Sequence, residues 1–517
     1  MDVSAALLRV LGALVLGCVL QRLVRSALSP LRSVPGPFLA RCSDLWYLWR
    51  VRQGHWEKLN VELHRKYGDV IRYGPNRYSI GGDPAALGTI YGHGTRFAKS
   101  SWYDAWTAPG GWNLFGDRSI RRHADTRRRL QGAYSMTSLV SYEPYVDACG
   151  AVLARRLEEM SGAGAPVDMG HWLQCYAFDV IGQITYGGRR IGFLDRGEDV
   201  RGVMRAIEDA LRYGALVGVY ARFHRLAFAV VNYRAGGRGA GREYVVKLSR
   251  ARIAAEQEAR AAAAAARKRD EEEGEEEAAV AVAEPFLSKF LARHERDPDG
   301  FTIDHVLAGC TANMAAGSDT TGISLAAILY YLLRHPACLG RLRDEIASFR
   351  AQGLLSDGFG FKETQQMPYL QAVVKEALRM HPATGLPLER VVPEGGATIC
   401  GRFFPADTIV GINTWVAHRN TKVFGADADE FRPERWLVKD EAKLAEMNRQ
   451  WIPFGTGSRT CIGRHISTLE ISKLIPRLIR DFDFELADGG AEDSWTTQNR
   501  WFVKPQGFRV KVRRREL

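Results

Sequence analysis

The longest pattern of hydrophobic and polar positions in this 517-residue chain covers residues 302–334 and has the spacing of one α-helix. The pattern stops before Pro336, because a proline ring cannot continue a helix. At about 1.5 Å per residue this helix would be roughly 50 Å long, enough to cross a globular domain. Apolar residues predict two further helices, at residues 368–380 and 466–479.

Two short runs of β-branched and aromatic residues predict a β-hairpin. They cover residues 70–73 and 78–80 and flank a Gly-Pro-Asn turn. Directly afterwards, Asp83 and Pro84 stand in the order of an N-cap and a first helical residue. A short helix is therefore expected to follow the hairpin.

Residues 5–20 form an apolar run that is interrupted only by Arg9. The run is shorter than the about 20 residues of a typical membrane span. Three arginines follow it between positions 22 and 32, whereas a signal peptide carries its positive charge before the apolar run. We therefore expect residues 1–34 to be an uncleaved membrane anchor with a proline hinge, and a signal peptide is the alternative.

Residues 255–283 have low complexity, with an alanine-rich run, a basic triplet and then an acidic block. Such a composition cannot bury a core, so we expect an exposed insertion in the form of a helix, a loop or disorder.

The net charge of +12 is compatible with nucleic acid, an anionic membrane or an acidic protein partner. No zinc-knuckle, RNP or helix-turn-helix pattern supports nucleic acid. The eight cysteines include no C-x-x-C pair, which argues against a zinc site or a disulfide framework. No G-x-G-x-x-G follows a strand, so the chain has no visible nicotinamide or flavin site of its own.

The chemically most informative stretch lies at residues 454–463, where Cys461 follows a glycine-rich turn. A cysteine thiolate is a strong axial ligand for haem iron, since sulfur donates electron density that favours O–O cleavage. Arg459 could reach a haem propionate, and Phe454 could shield the sulfur from water. The alternative is a buried structural cysteine in a glycine loop.

This stretch resembles the haem loop of the cytochrome P-450 superfamily, which has the pattern F-G-x-G-x-R-x-C-x-G. The matching residues are Phe454, Gly455, Gly457, Arg459, Cys461 and Gly463. The resemblance implies haem b bound through the thiolate of Cys461, activation of O2, and a mainly α fold with a small β portion. Because the candidate site residues extend from position 123 to position 461, residues 35–517 are expected to form one large haem domain.

Small and hydroxylated residues at 315–321 interrupt the long predicted helix. Small side chains let a helix pass close to a flat cofactor, and hydroxyl groups bond back to helical carbonyls. Asp319 and Thr320 place an acid beside an alcohol, a pair that can deliver protons to bound dioxygen. The superfamily pattern A-G-x-D-T matches here, although an ordinary buried kink is the alternative.

The resemblance also implies further haem contacts. His123 and Arg127 share a helix face and match a W-x-x-x-R pattern that contacts a propionate, with His in place of Trp. Arg390 matches another arginine that binds a propionate. The stretch 127–145 is also similar to fungal pisatin demethylase-like members of the superfamily.

One further motif is expected to be structural. Glu376 and Arg379 match the superfamily's E-x-x-R pair, which is buried and is joined by an arginine from a later segment. The sequence Pro-Glu-Arg-Trp around Arg435 supplies that third member.

The expected function is a haem-thiolate monooxygenase that uses O2 and electrons from a separate NADPH–cytochrome P-450 reductase. Aromatic residues at 99–116 and small apolar residues at 383–387 predict a lipophilic substrate. Pisatin demethylase-like enzymes oxidise specialised metabolites, so fungal secondary-metabolite biosynthesis is the expected role. Detoxification of foreign aromatics is one alternative, and a haem-thiolate isomerase or dehydratase and a haem sensor are others. The charges after the apolar run predict a single-pass protein of the endoplasmic reticulum whose catalytic domain faces the cytosol.

Overall fold

The computed structural model describes residues 12–13, 17, 20–21, 24, 28–162, 164–234, 242–273, 284–487, 489 and 495–516. Most of the apolar segment 5–20, on which the expected anchor depends, lies outside these residues. Within them the fold is mainly α with small sheets, as the resemblance implied.

The α-helices of the described residues are α1 (Phe38–Cys42), α2 (Leu45–Gln53), α3 (Trp56–Tyr67), α4 (Pro84–Tyr91), α5 (Ile120–Leu130), α6 (Met136–Val140), α7 (Glu143–Ser161), α8 (Met169–Tyr186), α9 (Phe193–Arg196), α10 (Val203–Val217), α11 (His224–Arg234), α12 (Arg242–Glu273), α13 (Phe286–Arg296), α14 (Ile303–Arg334), α15 (Pro336–Ala351), α16 (Phe361–Thr364), α17 (Pro368–Met380), α18 (Thr414–Ala417), α19 (Thr421–Phe424), α20 (Glu441–Gln450) and α21 (Arg464–Asp481). Short 3₁₀ helices lie at Ser101–Trp106, Gln131–Tyr134, Val200–Gly202, Gly218–Phe223, Pro433–Leu437 and Gly457–Arg459.

The strands are β1 (Val70–Gly74), β2 (Arg77–Ile80), β3 (Ala98–Lys99), β4 (Val167–Asp168), β5 (Arg390–Val391), β6 (Ala397–Ile399), β7 (Arg402–Phe404), β8 (Ile409–Ile412), β9 (Phe482–Leu486), β10 (Thr496–Arg500), β11 (Phe502–Gln506) and β12 (Arg509–Arg514). The largest sheet has the order β1-β2-β8-β5-β3. Its short β3–β5 pairing is antiparallel and sets Lys99 opposite Arg390, which matters for the site below. The remaining pairings are β10-β11, β4-β12-β9 and β6-β7.

The long helix α14 crosses the core, as its hydrophobic pattern predicts. Thr302 occupies its N-cap, and Nδ1 of His305 accepts a hydrogen bond from the Thr302 N–H at 3.1 Å. The helix ends at Arg334, just before the proline that opens α15. The predicted hairpin is β1–β2, and Asp83 caps α4 by accepting a hydrogen bond from the N–H of Ala85.

The predicted low-complexity stretch 255–283 is partly described. Residues 255–273 continue α12 as a helix, and 274–283 lie outside the described residues. Arg260 of this helix contacts α13 by donating to the carbonyl of Ser288 at 2.7 Å, and the hydroxyl of Ser288 donates to Glu256 at 2.6 Å. The first residues of the stretch therefore pack against the body of the protein.

Glu376, Arg379 and Arg435 form a buried ionic network, with side-chain exposures of 0%, 0% and 2%. Arg379 donates to both carboxylate oxygens of Glu376, at 2.8 and 2.9 Å. Arg435 donates to Oε1 at 2.9 Å, and the indole of Trp436 donates to Oε2 at 2.9 Å. Every carboxylate oxygen is thus hydrogen-bonded, which buried charges require.

This network reaches the cysteine loop through His418. Arg379 Nη1 donates to the carbonyl of His418 at 2.8 Å, and the His418 ring contacts the Arg379 carbonyl at 3.0 Å. The other ring nitrogen, Nε2, accepts from the N–H of Ile452 at 2.8 Å, so the proton resides on Nδ1. Burial lowers the pKa of His418 well below its usual value, which keeps the ring in this neutral form. Ile452 lies two residues before the predicted haem loop.

We predict that Glu376→Gln lowers the free energy of unfolding by about 3–5 kcal/mol, because it leaves two buried arginines without their carboxylate. Burial alone raises the pKa of Glu376, but the hydrogen bonds and charges of the two arginines lower it overall. The stabilisation is therefore present at neutral pH and is lost as the pH falls below the unfolded value of about 4.3. Denaturant titration at several pH values measures both effects.

Glu446→Gln is the matched control, because Glu446 forms a half-exposed pair with Lys443 that is worth about 1 kcal/mol or less. Equal unfolding free energies for the two variants would show that the Glu376 network carries no special stability.

Candidate active site

Cys461 lies at the N-terminus of α21. Its N–H donates to the carbonyl of Phe454 at 2.8 Å, which closes the glycine-rich loop. The backbone N–H groups of Gly463, the N-cap residue of α21, and of Arg464 point at the sulfur. Such unsatisfied N–H groups at a helix start favour an anion, here the thiolate.

Cys461 combines surface accessibility with the electrostatic effect of burial. It is accessible to solvent, yet burial is the main cause that raises its pKa. The two observations agree if the sulfur faces a small solvent-accessible space that protein surrounds. The Gly463 N–H and the Arg127 guanidinium act in the opposite direction and favour the thiolate.

Gly457 lets this loop pass against α4. Its φ of +67° is a left-handed conformation, and a Cβ there would lie 1.7 Å from the carbonyl oxygen of Tyr91. No other residue type fits at that position without moving the backbone. Close packing against α4 therefore fixes the loop.

A cluster of basic side chains lines the same region. Arg390 lies close enough to lower the pKa values of Lys99 and Arg459, and His123 and Arg127 belong to the same group. We call these five residues the cationic cluster. His123, Lys99 and Arg390 are buried, with exposures of 5–6%. None of the five forms an ion pair with an acidic residue within the part of the chain that the structure describes.

Burial and neighbouring cations are the main causes that lower the pKa values of His123, Lys99 and Arg459. Burial, Arg459 and Lys99 lower the pKa of His123 to about 3. Burial and then Arg390 lower the pKa of Arg459 to about 10, and the same two causes lower that of Lys99 well below its usual value. Asp117 is the nearby acid, but it is engaged by Arg122 at 2.7 and 2.8 Å and by an indole N–H.

The long helix α14 has one face of small, accessible residues. Ala312 and Ala316 are exposed and Thr320 is half-exposed, while the residues between them, at 313–314 and 318–319, are buried. The spacing of four residues puts these three on one face. The hydroxyl of Thr320 donates to the carbonyl of Ala316 at 2.8 Å, which is the back-bonding that the sequence indicates.

Gly317 and Asp319 lie on other faces of α14. A Cβ on Gly317 would approach Ile181 of α8 to 2.8 Å, so this glycine serves the contact between two helices rather than the approach to a cofactor. The Asp319 carboxylate is buried, accepts a hydrogen bond from Gln174 of α8 and lies 3.2 Å from the ammonium of Lys504. The acid and the alcohol therefore do not hydrogen-bond to each other.

Aromatic rings close another side of the region. Trp102 and Trp106 of the 3₁₀ helix Ser101–Trp106 lie 5.1 and 5.7 Å from the ring of Trp501, and Phe115 lies 5.7 Å from it. Trp501, at the β10–β11 turn, has a φ of +88°, a strained value for a bulky residue. Its carbonyl accepts from the N–H of Gly385 at 2.9 Å. The two predicted pocket segments, 99–116 and 383–387, thus meet at Trp501.

Comparison with known proteins agrees with this geometry. The family model described as cytochrome P-450 matches residues 40–512. The chain belongs to the cytochrome P-450 family.

Several relatives of this cytochrome P-450 come from fungi. A cytochrome P-450 monooxygenase of Aspergillus terreus is 39% identical, covering 89% of this chain and 92% of the relative. Pisatin demethylase of Fusarium vanettenii is 36% identical over 93% of this chain and 88% of its own. The monooxygenase gsfF of Penicillium aethiopicum is 33% identical and covers 99% of both chains.

Membership makes this P-450 an oxidoreductase of the monooxygenase class, and the family cofactor is haem held by a cysteine thiolate. The structure fits that cofactor. Two propionates would supply the negative charge that the cationic cluster lacks, and the backbone N–H groups of Gly463 and Arg464 favour the thiolate form of Cys461, the ligand that this haem requires.

The structure brings together the basic residues that the sequence predicts, namely His123, Arg127, Arg390 and Arg459. Lys99 was not predicted, because its position follows from strand pairing with Arg390 rather than from a local motif. Its ammonium lies 4.2 and 4.3 Å from the ring centres of Tyr103 and Phe115, and it donates to the Phe115 carbonyl. Phe454 contacts Trp451 at a ring distance of 6.1 Å.

We predict opposite effects of Lys99→Met on the haem-free and the haem-loaded protein. Without haem, removal of a buried and unneutralised cation raises the free energy of unfolding, by about 1–4 kcal/mol. With haem, the same change removes a partner of the propionates and speeds haem loss. Denaturant titration of the haem-free protein and haem transfer to an excess of a haem scavenger measure the two effects.

Lys362→Met, at an exposed lysine, controls for the loss of one surface charge and should change neither quantity. If Lys99→Met destabilised the haem-free protein and left haem loss unchanged, Lys99 would be a structural residue only.

Proposed function

We propose that this protein binds haem b through Cys461 and oxidises a lipophilic small molecule with O2 and electrons from an NADPH-dependent reductase. The observation that carries the proposal is the position of Cys461. Its thiol receives two backbone N–H groups at a helix start and opens into a cavity that is flanked by an uncompensated cationic cluster. When bound, a thiolate-ligated haem activates O2 for insertion into a substrate.

Each residue of the site has a distinct proposed task. His123, Arg127, Arg390, Arg459 and Lys99 hold the propionates, and Gly463 contributes an N–H to the sulfur. Phe454 covers the loop from the side of Trp451. Thr320, on the cavity face of α14, positions the last proton donor, and Asp319 supplies it with protons. Small residues around Thr320 leave room for substrate.

The aromatic rings around Trp501 support a lipophilic substrate, because apolar surface binds such molecules and a few polar groups orient them. One relative is named for the demethylation of pisatin, and others are named as fungal P-450 monooxygenases. We therefore propose a role in fungal secondary-metabolite biosynthesis. Detoxification of foreign aromatics is the alternative role.

The reductase is proposed to dock on the face that carries Cys461. Arg464, next to the loop, is exposed, and so are Arg121 and Arg128 of α5. A basic surface attracts an acidic partner and raises its rate of association. This face also lies nearest to the sulfur.

Membrane contact is supported by an exposed apolar face of the described residues. Its members on α1, α2 and the segment around α11 include Phe38, Leu39, Leu45, Trp49, Phe223, Leu226, Val230, Val231 and Tyr233, all between 42% and 88% exposed. Ser43 and Tyr220 join the two segments by a hydrogen bond of 3.2 Å. Such a continuous patch marks an interaction surface.

Hydropathy singles out one stretch of that face. Among the described residues, the helical stretch Val200–Arg234 is long and apolar enough to cross a membrane, and 28% of its most apolar window is buried. Its helix axis breaks at Tyr220, where φ is −121° and ψ is 55°. We propose that the stretch lies on the bilayer, together with an anchor at residues 5–20, and that the catalytic domain faces the cytosol at the endoplasmic reticulum.

We predict that Cys461→Ala and Cys461→His abolish the far red-shifted Soret band of the ferrous–CO complex, because that band requires a thiolate ligand. Cys400→Ala is the control, since Cys400 lies beside Asp83, the N-cap residue of α4. The reduced CO spectrum of each purified variant is the measurement. A thiolate-type band in Cys461→Ala would contradict the proposed ligand and with it the proposed function.

We predict that Leu226 inserts into lipid in the full-length protein. A polarity-sensitive fluorophore attached to Leu226→Cys should emit at a shorter wavelength when the protein is in phosphatidylcholine vesicles than when it is in detergent-free buffer. Leu354→Cys is the control, because Leu354 is 48% exposed outside the apolar face. Equal spectra at the two positions, after subtraction of labelled wild-type protein, would exclude the apolar face as the membrane contact.

A further inference from the structure

A surface pocket lies between the segment that connects α8 to α10 and the helix α12. Its volume is about 510 Å³, and small-molecule sites commonly occupy about 300–1,000 Å³. One wall comes from the segment 190–201, and the other comes from the first three turns of α12. None of the residues that line this pocket belongs to the cationic cluster.

The pocket is positively charged on both walls. Five of the ten residues that line it are basic, and none of the ten is acidic. The basic residues are Arg190, Arg196, Arg201, Lys247 and Arg252. Within the part of the chain that the structure describes, Arg196, Arg201 and Arg252 form neither an ion pair nor a side-chain hydrogen bond. We call this site the basic pocket.

The acidic residues that flank the basic pocket are committed to other groups. The carboxylate of Asp199 accepts hydrogen bonds from two N–H groups at the start of α10, those of Met204 and Arg205, at 2.8 and 3.1 Å. Asp195 lies 2.8 Å from one terminal nitrogen of Arg190, whose Nε is buried without an acceptor among the described residues. The remaining positive charge therefore calls for an anion from outside the chain.

Apolar surface separates these charges. Tyr244, Leu248 and Ala251 lie on the same face of α12 as the two basic residues of that helix, because positions three and four residues apart are neighbours on a helix. The Tyr244 ring centre is 5.9 Å from the guanidinium carbon of Arg201, a cation–π distance. The opposite wall adds two aliphatic side chains. A compact uncharged ring can therefore pack between the charged groups.

Buried contacts hold both walls in place without a ligand. The Asp179 carboxylate accepts hydrogen bonds from the N–H groups of residues 192–194 at 2.9–3.2 Å, which fixes the connecting segment to α8. A hydrogen bond of 2.7 Å between the hydroxyls of Tyr186 and Ser249 joins the end of α8 to α12. The cations are therefore held around the pocket before a ligand arrives, which lowers the cost of binding.

We propose that the basic pocket binds a small ligand that carries two or more phosphate groups. Four of its five cations are arginines, whose planar guanidinium groups bind phosphate oxygens in a bidentate manner. One phosphate reaches the cations of one wall, whereas two or more on a compact ring bring negative charge to both. A free phosphorylated metabolite and the head group of a phosphoinositide lipid share this chemistry. No step of the proposed monooxygenase reaction uses these residues, so the inference is independent of it.

The first test titrates full-length, haem-loaded protein with pyrophosphate and, separately, with orthophosphate at the same ionic strength. Haem-loaded protein is used so that the cationic cluster is already neutralised. Calorimetry should show one pyrophosphate per chain, bound at least about tenfold more tightly than orthophosphate, because a second phosphate adds charge-assisted hydrogen bonds. Equal affinities for the two anions would overturn a site for two or more phosphates.

Two variants change the pocket in different ways. Arg196→Gln/Arg201→Gln removes two cations and should weaken pyrophosphate binding by at least about tenfold. Ala251→Trp leaves the charge unchanged but fills the space between the walls, and it should weaken binding to a similar extent. Both changes are at exposed positions, and the haem content of each purified variant checks that it has folded.

Each variant has a matched control. Arg121→Gln/Arg128→Gln removes the same charge from exposed positions of α5, and Ala259→Trp places the same ring at an exposed position of α12 that does not line the pocket. Both controls should bind pyrophosphate as the wild type does. Equal weakening by the two arginine variants would show that net charge alone attracts the anion and would overturn the site. Unchanged binding in Ala251→Trp would do the same.

The last experiment distinguishes the two sources of phosphate. A fluorescent inositol trisphosphate is bound to the protein, and its anisotropy is followed as competitors are added. Pyrophosphate should displace this probe, and failure to do so would contradict the proposal. Displacement also by phosphatidylcholine vesicles that contain phosphatidylinositol bisphosphate, but not by phosphatidylcholine alone, supports a lipid head group as the ligand. Displacement by pyrophosphate without any effect of the phosphoinositide vesicles supports a free phosphorylated ligand.

Discussion

Uncompensated positive charge in a buried place is the constraint on which this structure depends. Lys99, His123, Arg127, Arg390 and Arg459 come from β3, α5, β5 and the cysteine loop, and they meet without an acidic partner among the described residues. Their mutual repulsion opposes folding unless an anion joins them. A dianionic cofactor would turn that repulsion into attraction, so we propose that the cluster favours the haem-bound state of the fold.

A second network fixes the protein around that site. Glu376, Arg379 and Arg435 satisfy one another's hydrogen bonds in the core. His418 links them by hydrogen bonds to Ile452, which lies two residues before the cysteine loop. The first network is incomplete without a ligand, whereas this one is complete within the chain. This difference distinguishes the residues that stabilise the fold without a ligand from the residues that we propose to bind the cofactor. The long helix α14 packs one face against α8 and has a second, accessible face of small residues near which we propose that the cofactor binds.

The sequence predicts those features that local chemistry determines. The long helix over residues 302–334, the Asp83–Pro84 helix start and the turn before Cys461 each depend on neighbouring residues, and each is found where the pattern indicates. Other features depend on chain segments that meet only in the fold. The pairing of Lys99 with Arg390 requires a strand register, and that of Lys504 with Asp319 requires the C-terminal hairpin to reach α14. For Gly317, composition indicates a close approach but cannot tell a helix from a cofactor as the neighbour.

The central claim is that the cationic cluster and Cys461 together form a haem site. Binding of haem and of its dimethyl ester to the haem-free protein tests this most directly, since the ester keeps the iron and the ring but lacks both negative charges. The account predicts that the ester binds at least about tenfold more weakly, a difference of about 1.4 kcal/mol. Equal affinities for haem and its ester would contradict it.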